Sequence, residues 1–138
     1  MEFSEKEIEE VKKFVKQLNS EKYSVIVVEG KRDSAALRKL GLSGKIIEFH
    51  SFNGLVKFAD SVAKYKNIIL LLDCDRKGRY LTKRIIGLLE HRTKVDLSFK
   101  KKLISVTKGK IRFIEQLVCY EHYFVKNLRP NAFVIKRF

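Results

Sequence analysis

Five consecutive apolar residues, Ile68-Ile69-Leu70-Leu71-Leu72, run directly into Asp73-Cys74-Asp75, and this junction constrains the fold more than any other feature of the chain. An apolar run with no alternation marks a strand buried on both faces, as in a parallel sheet covered by helices. In such sheets ligands bind beyond the carboxyl ends of the strands, which is where these two carboxylates should stand. A second apolar run, Val25-Ile26-Val27-Val28, ends in the same manner at Glu29-Gly30. Three acids from two strand ends are therefore expected to converge. A set of oxygen-only ligands suits Mg²⁺ or Mn²⁺.

The rest of the pattern agrees with that class. Ser4 and Glu7 have capping-box spacing and precede the stripe Ile8, Val11, Val15 and Leu18, which predicts a helix over 4–18. Strands are predicted at 23–28, at 45–49 and from Asn67. Helices are predicted over 33–40, over 55–62 after a Ser51 or Asn53 cap, and from near Gly78 to His91. This alternation defines an α/β chain with right-handed crossovers and a mainly parallel sheet of about four strands flanked by helices. Beyond residue 92 the periodicity weakens. Residues 97–106 read as a helix or contain a short strand at 103–106, and 111–125 read as a helix burying Ile111, Ile114, Val118 and Val125. After Pro130, the residues Phe133, Val134, Ile135 and Phe138 suit a late strand or a contact with a partner.

A chain of 138 residues buries one core and is read as one domain, 1–138. Its formal charge of +14 is uneven: residues 1–21 carry −2, residues 22–75 carry +3 and residues 76–138 carry +13. A basic excess concentrated after the Asp pair points to a polyanion, nucleic acid being the commonest, although a heat-adapted solvated surface gives the same composition. Two cysteines are too few for a disulfide framework, and acids at Glu2, Glu5 and Glu7 interrupt any signal-like start, so a cytoplasmic location is expected. No apolar run approaches the roughly 20 residues that span a bilayer, so no membrane role is expected.

Both loops have the composition of a site. Gly30 is expected to release the chain sharply from its strand, and Asp33 to stand at the start of the next helix as a cap and a candidate site residue. Asp73 and Asp75, two apart in extended backbone, point the same way, with Cys74 opposed and Gly78 freeing the turn that follows. Val27-Val28-Glu29-Gly30-Lys31-Arg32-Asp33 and Leu71-Leu72-Asp73-Cys74-Asp75-Arg76-Lys77-Gly78 together resemble the two motifs of the Toprim domain. That domain is shared by type IA and type II topoisomerases, bacterial-type primases, RecR-type recombination proteins and small nucleases.

The resemblance covers about residues 23–92, preceded by the helix over 4–18 and followed by a basic, partly helical C-terminal segment, 93–138. It implies a Rossmann-like Toprim fold in which Glu29, Asp73 and Asp75 bind Mg²⁺, with Glu29 acting as general acid or base on a phosphodiester. The 138 residues leave no room for the further domains that strand passage and complete primer synthesis require. A small nuclease acting on RNA or DNA is the expected activity. The alternative is a non-catalytic, metal-dependent nucleic-acid-binding module of a larger processing complex, and the sequence does not fix the oligomeric state. A nucleotide-binding Rossmann protein is disfavoured because no G-x-G-x-x-G follows the first strand.

Lys31, Arg32, Arg76, Lys77 and Arg79 are the predicted phosphate contacts, against a competing reading in which they only balance the acids. Lys100, Lys101, Lys102, Lys108, Lys110 and Arg112 extend this track or simply face solvent. Tyr80, Phe52 and His50 are candidates for base stacking, with core burial the competing reading for Phe52 and exposure for His50. Glu115 is expected to be solvated, with a place beside the loop acids as the alternative. Cys119 and His122 lack the second pair of ligands that a structural zinc site needs.

Overall fold

The computed structural model describes residues 3–124. Strands β1 (Ser24–Val28), β2 (Ile46–Glu48), β3 (Asn67–Leu70) and β4 (Lys94–Asp96) form one parallel sheet in the order β2-β1-β3-β4. Ile26 of β1 is in register with Ile46 on one side and Ile69 on the other. Helices α1 (Glu5–Asn19), α2 (Lys31–Lys39), α3 (Leu55–Val62), α4 (Arg76–Leu89) and α5 (Ser98–Val106) cover the sheet.

Strand alternation divides the core into two layers. Ile26, Val28, Ile69 and Leu71 meet α1, α2 and α5, while Val25, Val27, Ile68, Leu70 and Leu72 meet α3 and α4. Unbroken apolar runs in the sequence thus arise from strands buried on both sides, each such side chain contributing about 1.5–3 kcal/mol. The chain leaves β1 through α2 to reach β2, then returns through α3 past β1 to β3. Because α2 and α3 lie on opposite layers, the strand order reverses between β1 and β3. Crossovers that diverge at such a switch point leave a crevice at the strand ends. Glu29 and Asp73 follow the two strands that flank it. Among the described residues no helix is long and apolar enough to cross a membrane.

Several elements differ from the sequence expectation. Gly54, at φ 99°, caps α3 in place of Ser51 or Asn53, and Phe49–Ser51 is a 3₁₀ turn rather than the end of a strand. β4 carries a single apolar residue, Val95, and so left no period-two signal in the sequence. Of the two alternatives for 97–106, the helix is the one found, as α5, with no strand at 103–106. The helix expected over 111–125 begins later, as a 3₁₀ helix at Ile114–Tyr120, and continues as α-helix over 121–124. A three-residue period buries Ile114, Leu117 and Tyr120 and leaves Val118 36% exposed. Val125 and the residues after Pro130 lie outside the described residues.

The 3₁₀ helix is tied to α1 by a buried charge. Glu7 is 3% exposed; its Oε1 lies 2.8 Å from Lys110 Nζ, and its Oε2 accepts the Tyr120 hydroxyl at 2.6 Å. Burial alone would raise the Glu7 carboxyl, but hydrogen bonds from Lys110 and Tyr120 outweigh it and hold the group below its ordinary 4.5. A lowered native pKa contributes stability above pH 4.5 that is lost as pH falls through the native value. Glu7→Gln is expected to cost about 2 kcal/mol at pH 7. Urea titrations of both proteins should show that difference shrinking below pH 4.5.

Candidate acidic site at the strand switch point

Glu29 leaves the end of β1 almost fully buried, at 5% exposure. Its Oε2 accepts the Asp73 amide hydrogen at 3.0 Å, which ties the two strand ends together across the crevice. The carboxyl of Glu29 is also within hydrogen-bonding reach of the Asp73 carboxylate. Burial pushes the Glu29 carboxyl up to about 7, against the opposing pull of the Asp73 amide. The negative charges of Asp73 and Asp75 push it further in the same direction.

Asp73 is held from the other side. Its Oδ1 accepts the amide hydrogen of Ile114 at 2.7 Å, and the Cys74 amide donates to the Arg112 carbonyl at 2.6 Å. The segment expected as an extension beyond residue 92 therefore folds back along the second acidic loop. Asp75 Oδ1 accepts the Gly78 amide at 2.7 Å and caps α4, as a short acid at this position commonly does. Glu29 and Asp73 are thus brought together. Asp75 acts on Glu29 through its charge while its carboxylate serves the helix. Among the described residues no three His, Cys, Asp or Glu side chains close around one point as a metal cage would require.

Asp33 is buried in the first turn of α2, where its Oδ2 accepts the Gly30 amide at 3.1 Å. Burial raises its carboxyl, the Gly30 amide opposes this, and the charges of Asp73 and Glu115 raise it further. An amide hydrogen bond from Glu115 also works to lower it. Two amides at the start of the 3₁₀ helix, those of Ile114 and Glu115, are therefore spent on the two loop acids. Glu115 itself lines a depression of about 260 Å³ with Glu29, Asp33, Asp73 and His50. Glu115 meets both sequence expectations in part: its side chain is 44% exposed, yet the 3₁₀ geometry sets it at the rim of the acidic depression.

The two glycines serve close approach rather than unusual torsion. Gly30 has extended backbone, at φ −149° and ψ −171°, open to any residue. A Cβ there would stand 3.0 Å from Nδ1 of the His50 ring, a tight contact that requires the ring to give by a few tenths of an ångström. His50 is exposed, and its amide donates to the Glu29 carbonyl at 2.8 Å. At Gly78, inside the first turn of α4, a Cβ would stand 2.0 Å from the Asp73 carbonyl oxygen. Only glycine lets the helix start lie against the acidic loop.

Basic side chains flank the acids from both layers. Lys31 and Arg32 open α2, and Arg76, Lys77 and Arg79 open α4, all exposed. Arg32 makes a long contact with Glu115 at 3.9 Å, a surface pair of small energetic weight. Arg79 Nη1 donates to the Cys74 carbonyl at 2.9 Å and so braces the second loop. Lys100, expected to point outward, turns inward instead. Its Nζ donates to the Leu72 carbonyl and lies 3.4 Å from that of Asp73, where β3 leaves carbonyls without sheet partners. Of the aromatic candidates, Phe52 meets Phe58 edge to face at 5.4 Å, whereas Tyr80 is exposed and its hydroxyl accepts from Arg84.

A parallel sheet reversing between β1 and β3, with carboxylates from both strand ends in the crevice, defines a Rossmann-like protein with an acidic strand-end site. The chain belongs to the Toprim domain family, whose model matches residues 24–115. That span reaches past residue 92 to the segment whose amides hold Asp73 and Asp33. The chain is similar to the UPF0292 protein of Thermococcus sibiricus, 40% identical over 94 residues that cover 67% of this chain and 74% of that one. The UPF0292 protein of Pyrococcus furiosus is 35% identical over 109 residues, covering 79% and 82%. That of Methanocaldococcus jannaschii is 40% identical over 98 residues, covering 69% and 76%. Among solved structures, a putative protein from Aquifex aeolicus is similar with a TM-score of 0.63 at 29% identity, covering 75% of this chain and 94% of its own. Toprim domains bind divalent metal and belong to nucleic-acid processing.

Proposed function

We propose that this protein is a Mg²⁺-dependent nuclease that cleaves RNA or DNA phosphodiesters at the Glu29–Asp73 pair. The observation that carries the reading is the buried Glu29 carboxyl, pushed up to about 7 beside Asp73 at the strand switch point. Hydrolysis joins a water oxygen to phosphorus and breaks the bond to the leaving nucleoside oxygen. One proton leaves the water and another reaches the leaving oxygen. A carboxyl that titrates near neutrality serves either transfer. Arg76, Lys77, Lys31 and Arg32 provide charge for neighbouring phosphates without reading sequence.

The donor set fits the ion. Mg²⁺ is commonly held by one or two carboxylates with water completing its shell, and Glu29 and Asp73 are such a pair, with Asp75 adjacent. When bound, the cation supplies charge compensation and polarisation at the phosphate oxygens. Mn²⁺ suits the same oxygens.

A second reading is favoured by one observation: Asp75 is engaged as a helix cap and Asp73 by the Ile114 amide, so no three-acid cage exists among the described residues. In that reading the domain contributes metal-dependent nucleic-acid affinity to a larger complex. Labelled single- and double-stranded RNA and DNA, incubated with Mg²⁺, Mn²⁺ or chelator, separate the two. Metal-dependent scission is expected; retention without scission under every condition would favour the binding module. Arg76→Ala with Lys77→Ala is expected to weaken binding for all sequences alike. It should also lower the slope of log affinity against log salt by about two, one for each phosphate that the variant no longer neutralises.

A further inference from the structure

Cys74 lines a cavity separate from the acidic depression lined by its neighbour Asp73, so one short loop is a wall to both. The cavity, between α4 and α5, measures about 420 Å³, within the range of about 300–1,000 Å³ usual for ligand sites. Leu70, Leu97 and Ile104 make its apolar floor, Ile104 being 40% exposed. Arg79, Lys83, Lys100 and Lys101 surround that floor, and no carboxylate lines it. Among the described residues none of the four forms an ion pair. Arg79 and Lys100 are further braced on the carbonyls of Cys74, Leu72 and Asp73, which fixes two positive charges beside the acidic loop.

An apolar floor inside uncompensated cations suits a flat, weakly polar body joined to an anion. A nucleobase with its phosphate has that form, and bases taken out of a helix are received on apolar side chains in this way. We propose that the cavity receives one unpaired nucleotide of the strand processed at the acidic site, its base on Leu97 and Ile104 and its phosphate at Lys100 and Lys101. This inference rests on the phosphodiester reading of the Glu29–Asp73 pair and adds a substrate class to it. A base held in a duplex cannot enter, so the substrate is single-stranded or frayed nucleic acid.

The test compares a short single strand with a blunt duplex of equal length, by fluorescence anisotropy in chelator, for the wild type and Ile104→Glu. Ile104 is partly exposed, so the variant should fold, which its circular dichroism checks. The single strand is expected to bind the wild type more tightly than the duplex. Ile104→Glu should weaken the single strand about tenfold, the worth of one base seated on an apolar surface, and leave the duplex unchanged. The single strand should also shield Cys74 from alkylation while exposed Cys119 reacts as before. Equal binding of both polymers, unaffected by Ile104→Glu, would overturn the inference and leave the nucleic-acid reading standing, with a protein segment as the occupant to consider. Shielding of Cys74 by AMP as strong as that by the strand would assign the cavity to a free nucleotide and overturn the strand proposal. Failure to bind either polymer, in chelator and again with Ca²⁺ in place of Mg²⁺, would bring down both readings.

Discussion

Glu29→Gln is expected to reduce metal-dependent cleavage by about 10³-fold while making the metal-free protein more stable at pH 8. On the proposed reading the substitution removes the proton-transfer group and one metal ligand, yet the amide oxygen can still accept the Asp73 amide hydrogen. It also removes the cost of ionising a buried carboxyl beside two others. Because the native pKa is raised from 4.5 to about 7, stability relative to the unfolded chain is full below pH 4.5 and falls as pH rises to 7. That interval corresponds to a cost of up to about 3 kcal/mol at pH 8, by the energy of one pKa unit. Denaturant titrations in chelator should find the variant more stable at pH 8 and the two proteins converging near pH 4.5. A variant less stable than wild type at both pH values would make Glu29 a structural group. An ionisable group kept at a loss of stability is the usual mark of a functional position.

Gly78→Ala is expected to destabilise the protein by about 3 kcal/mol, because a methyl there collides with backbone rather than with a side chain that can swing away. The built Cβ lies 2.0 Å from the Asp73 carbonyl oxygen and 2.8 Å from its carbon, so either the acidic loop or the first turn of α4 must move. Any such movement displaces Asp73, and divalent-cation affinity should fall together with stability. Gly87, later on the same helix, is the internal control, since nothing lies within 4 Å of its Cβ position. Gly87→Ala should stabilise by about 0.5–1 kcal/mol. Thermal melts of the two variants with and without Mg²⁺ check both expectations, and a Gly78→Ala protein with unchanged melting and metal affinity would refute the close approach.

The strand ends and their acids were legible because burial on two faces writes an unbroken apolar run, and an acid directly after such a run stands out. The capping pair Ser4 and Glu7 was legible for a similar reason, its chemistry being local: Ser4 Oγ accepts the Glu7 amide at 3.1 Å. What stayed hidden depends on distant backbone. The amides of Ile114 and Glu115 hold Asp73 and Asp33, and an amide carries no side-chain identity for a pattern to find. Lys100 looked like part of a solvated lysine run, yet the free carbonyls at the end of β3 draw it inward. Gly30 was noticed for a torsional freedom it does not use; what stands against its Cα is the ring of His50, twenty residues along the chain. Val118, expected inside, is outside and Leu117 is buried because residues 114–120 turn every three residues instead of every 3.6.

Calorimetric titration of the wild type and Glu29→Gln with Mg²⁺ and Mn²⁺, in buffers of different ionisation enthalpy from pH 5.5 to 8.5, addresses the central claim most directly. A cation held by Glu29 and Asp73 must displace the Glu29 proton, so affinity should rise with pH and level off above about 7. Proton release should be substantial at pH 6 and vanish at pH 8.5, and Glu29→Gln should lose both the release and most of the affinity. Absence of divalent-cation uptake by the wild type across that range, or uptake that Glu29→Gln leaves unchanged, would contradict the account.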